Sequence, residues 1–250
     1  MHRCWSQPVH AFNRLIIPSG VYPFSPICPD VLANPAVTQY LYLHGFASSP
    51  KSTKAQAMRS RFATLGLELI IPDLNQGDFS HLTLSRQIQQ VSEFVLGQPD
   101  STVLIGSSLG GLTATWVAQQ PPLAGRIEKL VLLAPAFDFL AQWLPRLGSD
   151  QLNAWRTEGT FSVYHYTEQR TLPLHYDFIT DAQGYDDGAL QAKIPTLILH
   201  GTRDETIAIA ASRAYATCRP WVHLVELPSD HALVDVEADL WQHTREFLEL

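Results

Sequence analysis

The stretch STVLIGSSLGGL, residues 101–112, decides how the rest of the sequence is interpreted. A β-branched, apolar run ends in Gly106, Ser108 follows two residues later, and Gly110 comes two residues after that. The residues beyond, LTATWVA, are typical of a helix. This is the pattern G-x-S-x-G between a buried strand and a helix, a context that holds a serine on a sharp turn at the edge of a sheet. The stretch therefore predicts that Ser108 is a catalytic nucleophile.

The composition of the chain excludes several other classes of function. The 250 residues carry a formal net charge of −7 and contain no basic run, so we expect no binding to nucleic acid. Three scattered cysteines fit neither a disulfide framework nor a zinc site. No apolar run reaches the ~18 residues of a membrane helix, and the first residues lack the pattern of a signal peptide. We expect a cytoplasmic protein with no membrane span.

Strand-like and helix-like segments alternate along most of the chain, which predicts a single α/β domain over residues 38–250. Its sheet is expected to be mostly parallel and covered by helices on both faces. Residues 1–37 contain six prolines and are expected to form an extended N-terminal arm. The alternation stops at about residues 137–192, an aromatic-rich stretch that is predicted to be a lid insertion. The predicted strands are 38–43, 67–72, the run before Gly106, 127–133, 195–199 and 222–227; the predicted helices are 52–65, 83–96, 112–118, 207–216 and 232–250.

A serine hydroxyl is a weak nucleophile, so it needs a base, and the base needs an acid that orients it. In chains with this elbow, the acid and then the histidine follow the serine. His231 lies after the strand at 222–227 and immediately before the predicted last helix, and Asp204 lies after the strand at 195–199. Such loops, at the carboxyl ends of parallel strands, carry the chemistry of these sheets. We expect His231 to be the general base and Asp204 the orienting acid, with Asp138 as the alternative acid.

An acyl-transfer site also needs two backbone N–H groups directed at the oxygen that becomes negative. The residue after the nucleophile, Leu109, supplies one of them at the N-terminus of its helix. The other is expected from the loop HGF, residues 44–46, which follows the first main strand. Phe46 N–H is therefore the predicted second donor of an oxyanion hole, and His44 is expected to be structural.

Several separated segments of the chain resemble one family. The stretch LYLHGFASSPKSTKA, residues 41–55, is similar to the oxyanion loop of the YqiA/YcfP-like esterases, a family of α/β-hydrolases. IGSSLGG, residues 105–111, resembles the elbow of that family. The middle of the chain also looks similar to mammalian depalmitoylating abhydrolases. Further segments resemble the acid and histidine segments of the first family. These further segments are residues 202–205, 214–215, 218–219 and 230–232.

The resemblance covers residues 38–250 and implies an α/β-hydrolase fold. It implies a serine esterase with Ser108, Asp204 and His231 as catalytic triad, and it favours Asp204 over the alternative acid. The same resemblance implies that Phe46 and Leu109 supply the oxyanion N–H groups.

We therefore expect a serine hydrolase that cleaves carboxylic esters through an acyl-enzyme, with no cofactor and no metal ion. Because the same machinery cleaves thioesters, a thioesterase or depalmitoylase is the alternative. A non-catalytic binding protein on a hydrolase scaffold is a third hypothesis, from another class of function. The aromatic insertion favours an apolar acyl group, so the expected partner is a small-molecule acyl ester or thioester. The sequence predicts no oligomeric state.

Overall fold

The computed structural model describes residues 38–250, so the arm expected at residues 1–37 lies outside the described part of the chain. The described part contains eight strands and seven helices in an alternating order that is interrupted in the middle. The strands are β1 (Gln39–Leu43), β2 (Leu69–Ile70), β3 (Thr102–Ser107), β4 (Ile127–Leu133), β5 (Thr160–His165), β6 (Arg170–His175), β7 (Thr196–Gly201) and β8 (Val222–Leu227). The helices are α1 (Thr53–Thr64), α2 (Leu84–Leu96), α3 (Leu109–Ala118), α4 (Phe139–Glu158), α5 (Asp177–Ala182), α6 (Ile209–Thr217) and α7 (Glu237–Leu248), with short 3₁₀ turns at Pro121–Leu123 and Asp187–Ala189.

Six of the strands form one sheet in the order β2-β1-β3-β4-β7-β8, and every neighbouring pair in it is parallel. The period of two along each strand divides the apolar side chains between the two faces of the sheet. In β1, Leu41 and Leu43 join the core on one face, whereas Tyr42 joins the core on the other. Helices α2 and α3 pack on the first face, and α1 and α7 pack on the second. The prediction of a mostly parallel α/β sheet covered by helices on both faces is thus confirmed.

The order of the strands determines where a ligand can bind. The chain passes from β1 outward to β2 and then returns to form β3 on the opposite side of β1. The connections after β1 and β3 therefore diverge, and such a switch point leaves a crevice at the carboxyl ends of the two strands. Ser108 follows β3 directly at this crevice, and the loop that contains Phe46 follows β1.

The segment between β4 and β7, residues 137–192, forms α4, the antiparallel hairpin β5–β6 and α5. It contacts the loop after β1, since Tyr166 N–H donates to Ala47 O at 3.0 Å. It also has its own buried side chain in Trp155, which is 1% exposed and donates its indole N–H to Leu174 O at 2.9 Å. This segment, called the inserted segment below, is thus an ordered unit that packs on the sheet domain.

The last helix begins at Glu237, five residues later than predicted. The cause is local: Asp230 Oδ1 accepts the N–H groups of Ala232 and Leu233, and Leu233 has a left-handed backbone with φ 56°. Both features favour a turn and compete with helix formation. As a result, His231 lies in a turn rather than directly at the start of a helix. Within residues 38–250, no helix has the length and apolar character needed to cross a membrane.

Candidate active site

Ser108 occupies a strained turn between β3 and α3. Its backbone has φ 53° and ψ −119°, a conformation that residues with a Cβ atom rarely adopt. Two glycines allow the turn to pack tightly. A Cβ atom at Gly106 would lie 2.4 Å from Gly110 O, and one at Gly110 would lie 2.1 Å from Leu43 O. The glycines of the motif are therefore required because β1, β3 and α3 meet here backbone to backbone.

The structure brings Ser108, His231 and Asp204 together, although they come from three separate loops. His231 Nε2 lies 3.1 Å from Ser108 Oγ, and His231 Nδ1 lies 2.7 Å from Asp204 Oδ2. The Asp204 side chain is fully buried, and that of His231 is 25% exposed. The three side chains thus form one chain of hydrogen bonds that begins at a buried carboxylate and ends at a hydroxyl in the crevice.

The Asp204 carboxylate is held by four donors. Its Oδ1 atom accepts the backbone N–H groups of Thr206 and Ile207, both at 2.8 Å, while Oδ2 faces the rings of His231 and His200. Burial by itself raises the pKa of Asp204, but the hydrogen bonds from the two histidines and the backbone outweigh burial and keep that pKa below its ordinary value. Asp204 is therefore ionised at neutral pH despite its burial.

The two predicted oxyanion donors border the same crevice. Leu109 is the first residue of α3, so its N–H has no partner within the helix and lies at the positive end of the helix dipole. The loop after β1 is close to the elbow, because a Cβ atom at Gly45 would lie 3.2 Å from Ser108 Cβ. Among residues 38–250, no acceptor binds the N–H of Phe46 or that of Leu109. Both groups are thus available to an oxygen atom of a ligand.

Aromatic side chains surround the ring of Phe46. The ring centroids of Phe178, Phe79 and Trp143 lie 5.2, 5.6 and 5.7 Å from that of Phe46. Trp143 and Phe178 belong to the inserted segment, so this segment packs apolar side chains against Phe46: Phe178 is buried there, whereas Trp143 and Phe46 stay partly exposed.

The other residues considered from the sequence have different surroundings. Asp138 is exposed and precedes α4, where its N–H donates to Asp187 Oδ2 at 2.8 Å. His44 is buried, and its Nε2 accepts the N–H of Leu74 at 3.0 Å, which ties the loop after β1 to the loop after β2. The carboxylate that His231 meets is that of Asp204, not that of Asp138.

Two side chains near the site were not predicted. His200, in β7, is fully buried and reaches Asp204. Lys54, in α1, donates from Nζ to the Oγ atom of Ser107 at 3.2 Å, directly behind the elbow. Burial lowers the pKa of Lys54 to about 8, and the charges of Asp204 and Asp230 partly oppose this decrease. The sequence shows only that His200 lies in an apolar strand and Lys54 on a polar helix, and neither signal indicates a functional position.

A cavity of about 520 Å³ opens beside the loop after β1. It lies between Ser49 and Pro50 of that loop, the loop after β2, and the hairpin of the inserted segment. Its lining combines the polar or charged side chains of Asp73, His165 and Arg170 with the apolar side chains of Phe79 and Leu172. A space lined by both charged and apolar side chains is therefore available next to the aromatic cluster around Phe46.

The parallel sheet with its switch point, the strained serine elbow and the loops that meet there define a protein of the α/β-hydrolase class. The chain belongs to the uncharacterised protein family UPF0227, whose profile matches residues 39–248. This is the YqiA/YcfP-like esterase family that the sequence motifs resemble, so that prediction is confirmed.

Solved structures agree on the fold. A proposed hydrolase from Agrobacterium vitis S4 has 24% identity and a TM-score of 0.71, over 84% of this chain and 87% of that one. Mouse alpha/beta hydrolase domain-containing protein 10 has 21% identity and a TM-score of 0.70, over 84% and 88% of the two chains. Est1E from Butyrivibrio proteoclasticus with bound ferulic acid has 19% identity and a TM-score of 0.68, over 87% and 92%. These similarities confirm the α/β-hydrolase fold.

Proposed function

We propose that this protein is a serine esterase that cleaves carboxylic esters through an acyl-enzyme on Ser108. The observation that carries the proposal is the hydrogen-bond chain from Ser108 through His231 to Asp204, with distances of 3.1 and 2.7 Å. Both distances lie in the range for direct proton transfer and for orientation of an imidazole. The proposed roles are nucleophile for Ser108, general base for His231 and orienting acid for Asp204.

The proposed reaction has two halves. Ser108 Oγ attacks the carbonyl carbon while His231 Nε2 takes its proton, and Asp204 stabilises the imidazolium that forms. The N–H groups of Phe46 and Leu109 bind the oxyanion of the tetrahedral intermediate. His231 then gives this proton to the leaving oxygen as the ester C–O bond breaks, so the alcohol departs and the acyl group stays on Ser108. In the second half His231 activates a water molecule, which releases the acid and restores the serine.

The proposal assigns the inserted segment, residues 137–192, as a lid. The contacts of Trp143 and Phe178 with Phe46 support this assignment, because they pack the segment beside the candidate oxyanion donor and leave the partly exposed ring of Trp143 next to it. An apolar acyl group is therefore the proposed substrate feature. A cytoplasmic location is also part of the proposal, since the three scattered cysteines fit a reducing compartment.

A fluorophosphonate probe tests the nucleophile directly, because it reacts with activated serines. The chain offers a matched control in Ser107, an adjacent serine whose hydroxyl accepts from Lys54 instead of facing His231. We expect the wild type and Ser107→Ala to be labelled and Ser108→Ala to remain unlabelled, with the adduct mapped by mass spectrometry. Equal labelling of wild type and Ser108→Ala, or no labelling of the wild type, would contradict the proposal and favour a non-catalytic binding protein.

The leaving group is tested with paired substrates of the same acyl chain. We expect kcat/KM for p-nitrophenyl butyrate to exceed that for butyryl-CoA, and a series of acyl lengths then reports on the space under the inserted segment. A feruloyl ester belongs in the series because the Est1E structure contains ferulic acid. A strong preference for the thioester would replace the esterase by a thioesterase with the same triad.

A further inference from the structure

His200 lies near the end of β7, and its side chain is fully buried. Every polar atom of its ring has a partner. Nδ1 is 2.8 Å from Ser212 Oγ in α6, whereas Nε2 is 3.0 Å from Ile207 O and 3.1 Å from Asp204 Oδ2. The ring therefore connects β7, the turn that contains Asp204 and the helix that follows.

These partners determine which nitrogen of His200 carries the proton. Nε2 faces two oxygen atoms that only accept hydrogen bonds, so the neutral ring satisfies both contacts with the proton on Nε2. The Ser212 hydroxyl then donates to Nδ1. Ser212 is itself 0% exposed, so this arrangement is shielded from exchange with water. The one Nε2–H of His200 thus serves two acceptors: it is hydrogen-bonded to Ile207 O, and its positive edge lies 3.1 Å from the carboxylate oxygen.

The oxygen that His200 contacts is the one that orients His231. Oδ1 of Asp204 is held by two backbone N–H groups, whereas the partners of Oδ2 among residues 38–250 are the two imidazoles. Without the contact from His200, Oδ2 would depend on His231 alone, and His231 must move its own proton and charge during the reaction. A second, immobile donor keeps Oδ2 in place through that change.

We propose that His200 is a positioning residue of the active site, which holds Asp204 Oδ2 where it orients His231. The inference rests on the proposed function. It predicts that loss of the His200 donor lowers kcat and leaves KM unchanged, because His200 lies behind Asp204 and does not face the crevice.

A double-mutant cycle separates this role from a purely structural one. We expect His200→Leu to lower kcat about 10- to 100-fold, the effect of one hydrogen bond to a charged group. His200→Gln offers an amide N–H in place of Nε2–H, and we expect it to recover most of the activity. In the Asp204→Asn background, His200→Leu is expected to reduce kcat less than about threefold. The same fold-loss in both backgrounds would overturn the inference.

Ser212→Ala provides a second, smaller perturbation in case His200→Leu does not fold. It removes the hydroxyl that fixes the ring of His200, and we expect a decrease in kcat of at least about threefold only where Asp204 is present. An equal effect with and without Asp204, or no effect, would overturn the inference. Labelling and turnover of the wild type, measured first, keep the two proposals apart. If the wild type is active but the effects at His200 do not depend on Asp204, only the role of His200 is refuted. If the wild type shows neither label nor turnover, both proposals are refuted.

Discussion

Gly201, the last residue of β7, tests how the structure holds the acid and the histidine together. The loop after β8 passes so close that a Cβ atom at Gly201 would lie 2.4 Å from Ser229 O and 2.5 Å from Asp230 O. Arg203 N–H donates to Ser229 O at 2.9 Å in the same contact. Gly201→Ala therefore forces apart the two segments that position Asp204 and His231.

The size of the effect follows from these distances. Because real Cβ atoms essentially never come within 3.0 Å of another heavy atom, the two segments must separate by about 0.6 Å. Overpacking of this kind costs about 1–3 kcal/mol of unfolding free energy, which lowers Tm by about 2–12 °C in a chain of this size. If His231 moves with its loop, its 2.7 Å bond to Asp204 lengthens to about 3.3 Å, past the optimal range. We expect kcat/KM to fall about 10- to 100-fold.

Thermal unfolding and the turnover of a p-nitrophenyl ester measure the two effects separately. Gly97→Ala is the matched control, because Gly97 has helical dihedrals and a Cβ atom there would have Glu93 O as its nearest neighbour, at 3.4 Å. We expect Gly97→Ala to leave both Tm and kcat/KM close to those of the wild type. A Gly201→Ala variant with wild-type Tm and wild-type kcat/KM would refute the reasoning, since the close approach would then not constrain the site.

Three other predictions follow from the site and the core. Asp204→Asn is expected to lower kcat about 10⁴-fold with little change in KM, and steady-state kinetics with a folded variant checks this. Burial lowers the pKa of Lys54 to about 8, so between pH 8 and its unfolded pKa of about 10.4 the unfolded chain binds more protons than the folded chain. The free energy of unfolding therefore rises with pH in this range. In urea unfolding, Lys54→Met should remove this contribution of Lys54 to the rise, and an unchanged pH dependence would contradict the prediction. Trp155→Ala removes a side chain that is 1% exposed and should cost about 3–5 kcal/mol in the same measurement; a loss below about 1 kcal/mol would show that the inserted segment does not unfold with the domain.

The regular part of the fold could be predicted because apolar residues mark each of its strands, both in the buried centre of the sheet and in the partly exposed edge strand β8. The apolar runs at Ile127–Leu133 and Val222–Leu227 form strands with the bounds that their sequence predicts. The edge strand β2 is shorter than predicted, Leu69–Ile70, because only these two residues pair with β1. The hairpin β5–β6 was not predicted, since its short strands mix polar with apolar and exposed with buried residues, and they depend on pairing with each other and on contacts with Trp155.

The candidate site likewise contains residues that the sequence could predict and residues that it could not. The spacing around Ser108 and the places of Asp204 and His231 after parallel strands indicate their roles, because the fold requires loops at those positions. The contacts of His200 and Lys54 depend instead on how β7 and α1 pack around the elbow. A buried histidine in an apolar strand and a lysine on a polar helix occur in many proteins without such roles, so only the tertiary structure distinguishes them.

The left-handed backbone of Ser108 also affects how stability and activity can vary together. A residue with a Cβ atom in this conformation costs the folded chain about 1–3 kcal/mol, whereas glycine tolerates positive φ. Ser108→Gly is therefore a substitution that removes the hydroxyl and relaxes the fold at the same time. Selection for thermal stability alone would favour the loss of this serine. Its presence marks a position where the chain keeps a less stable backbone together with the hydroxyl that the proposed reaction uses.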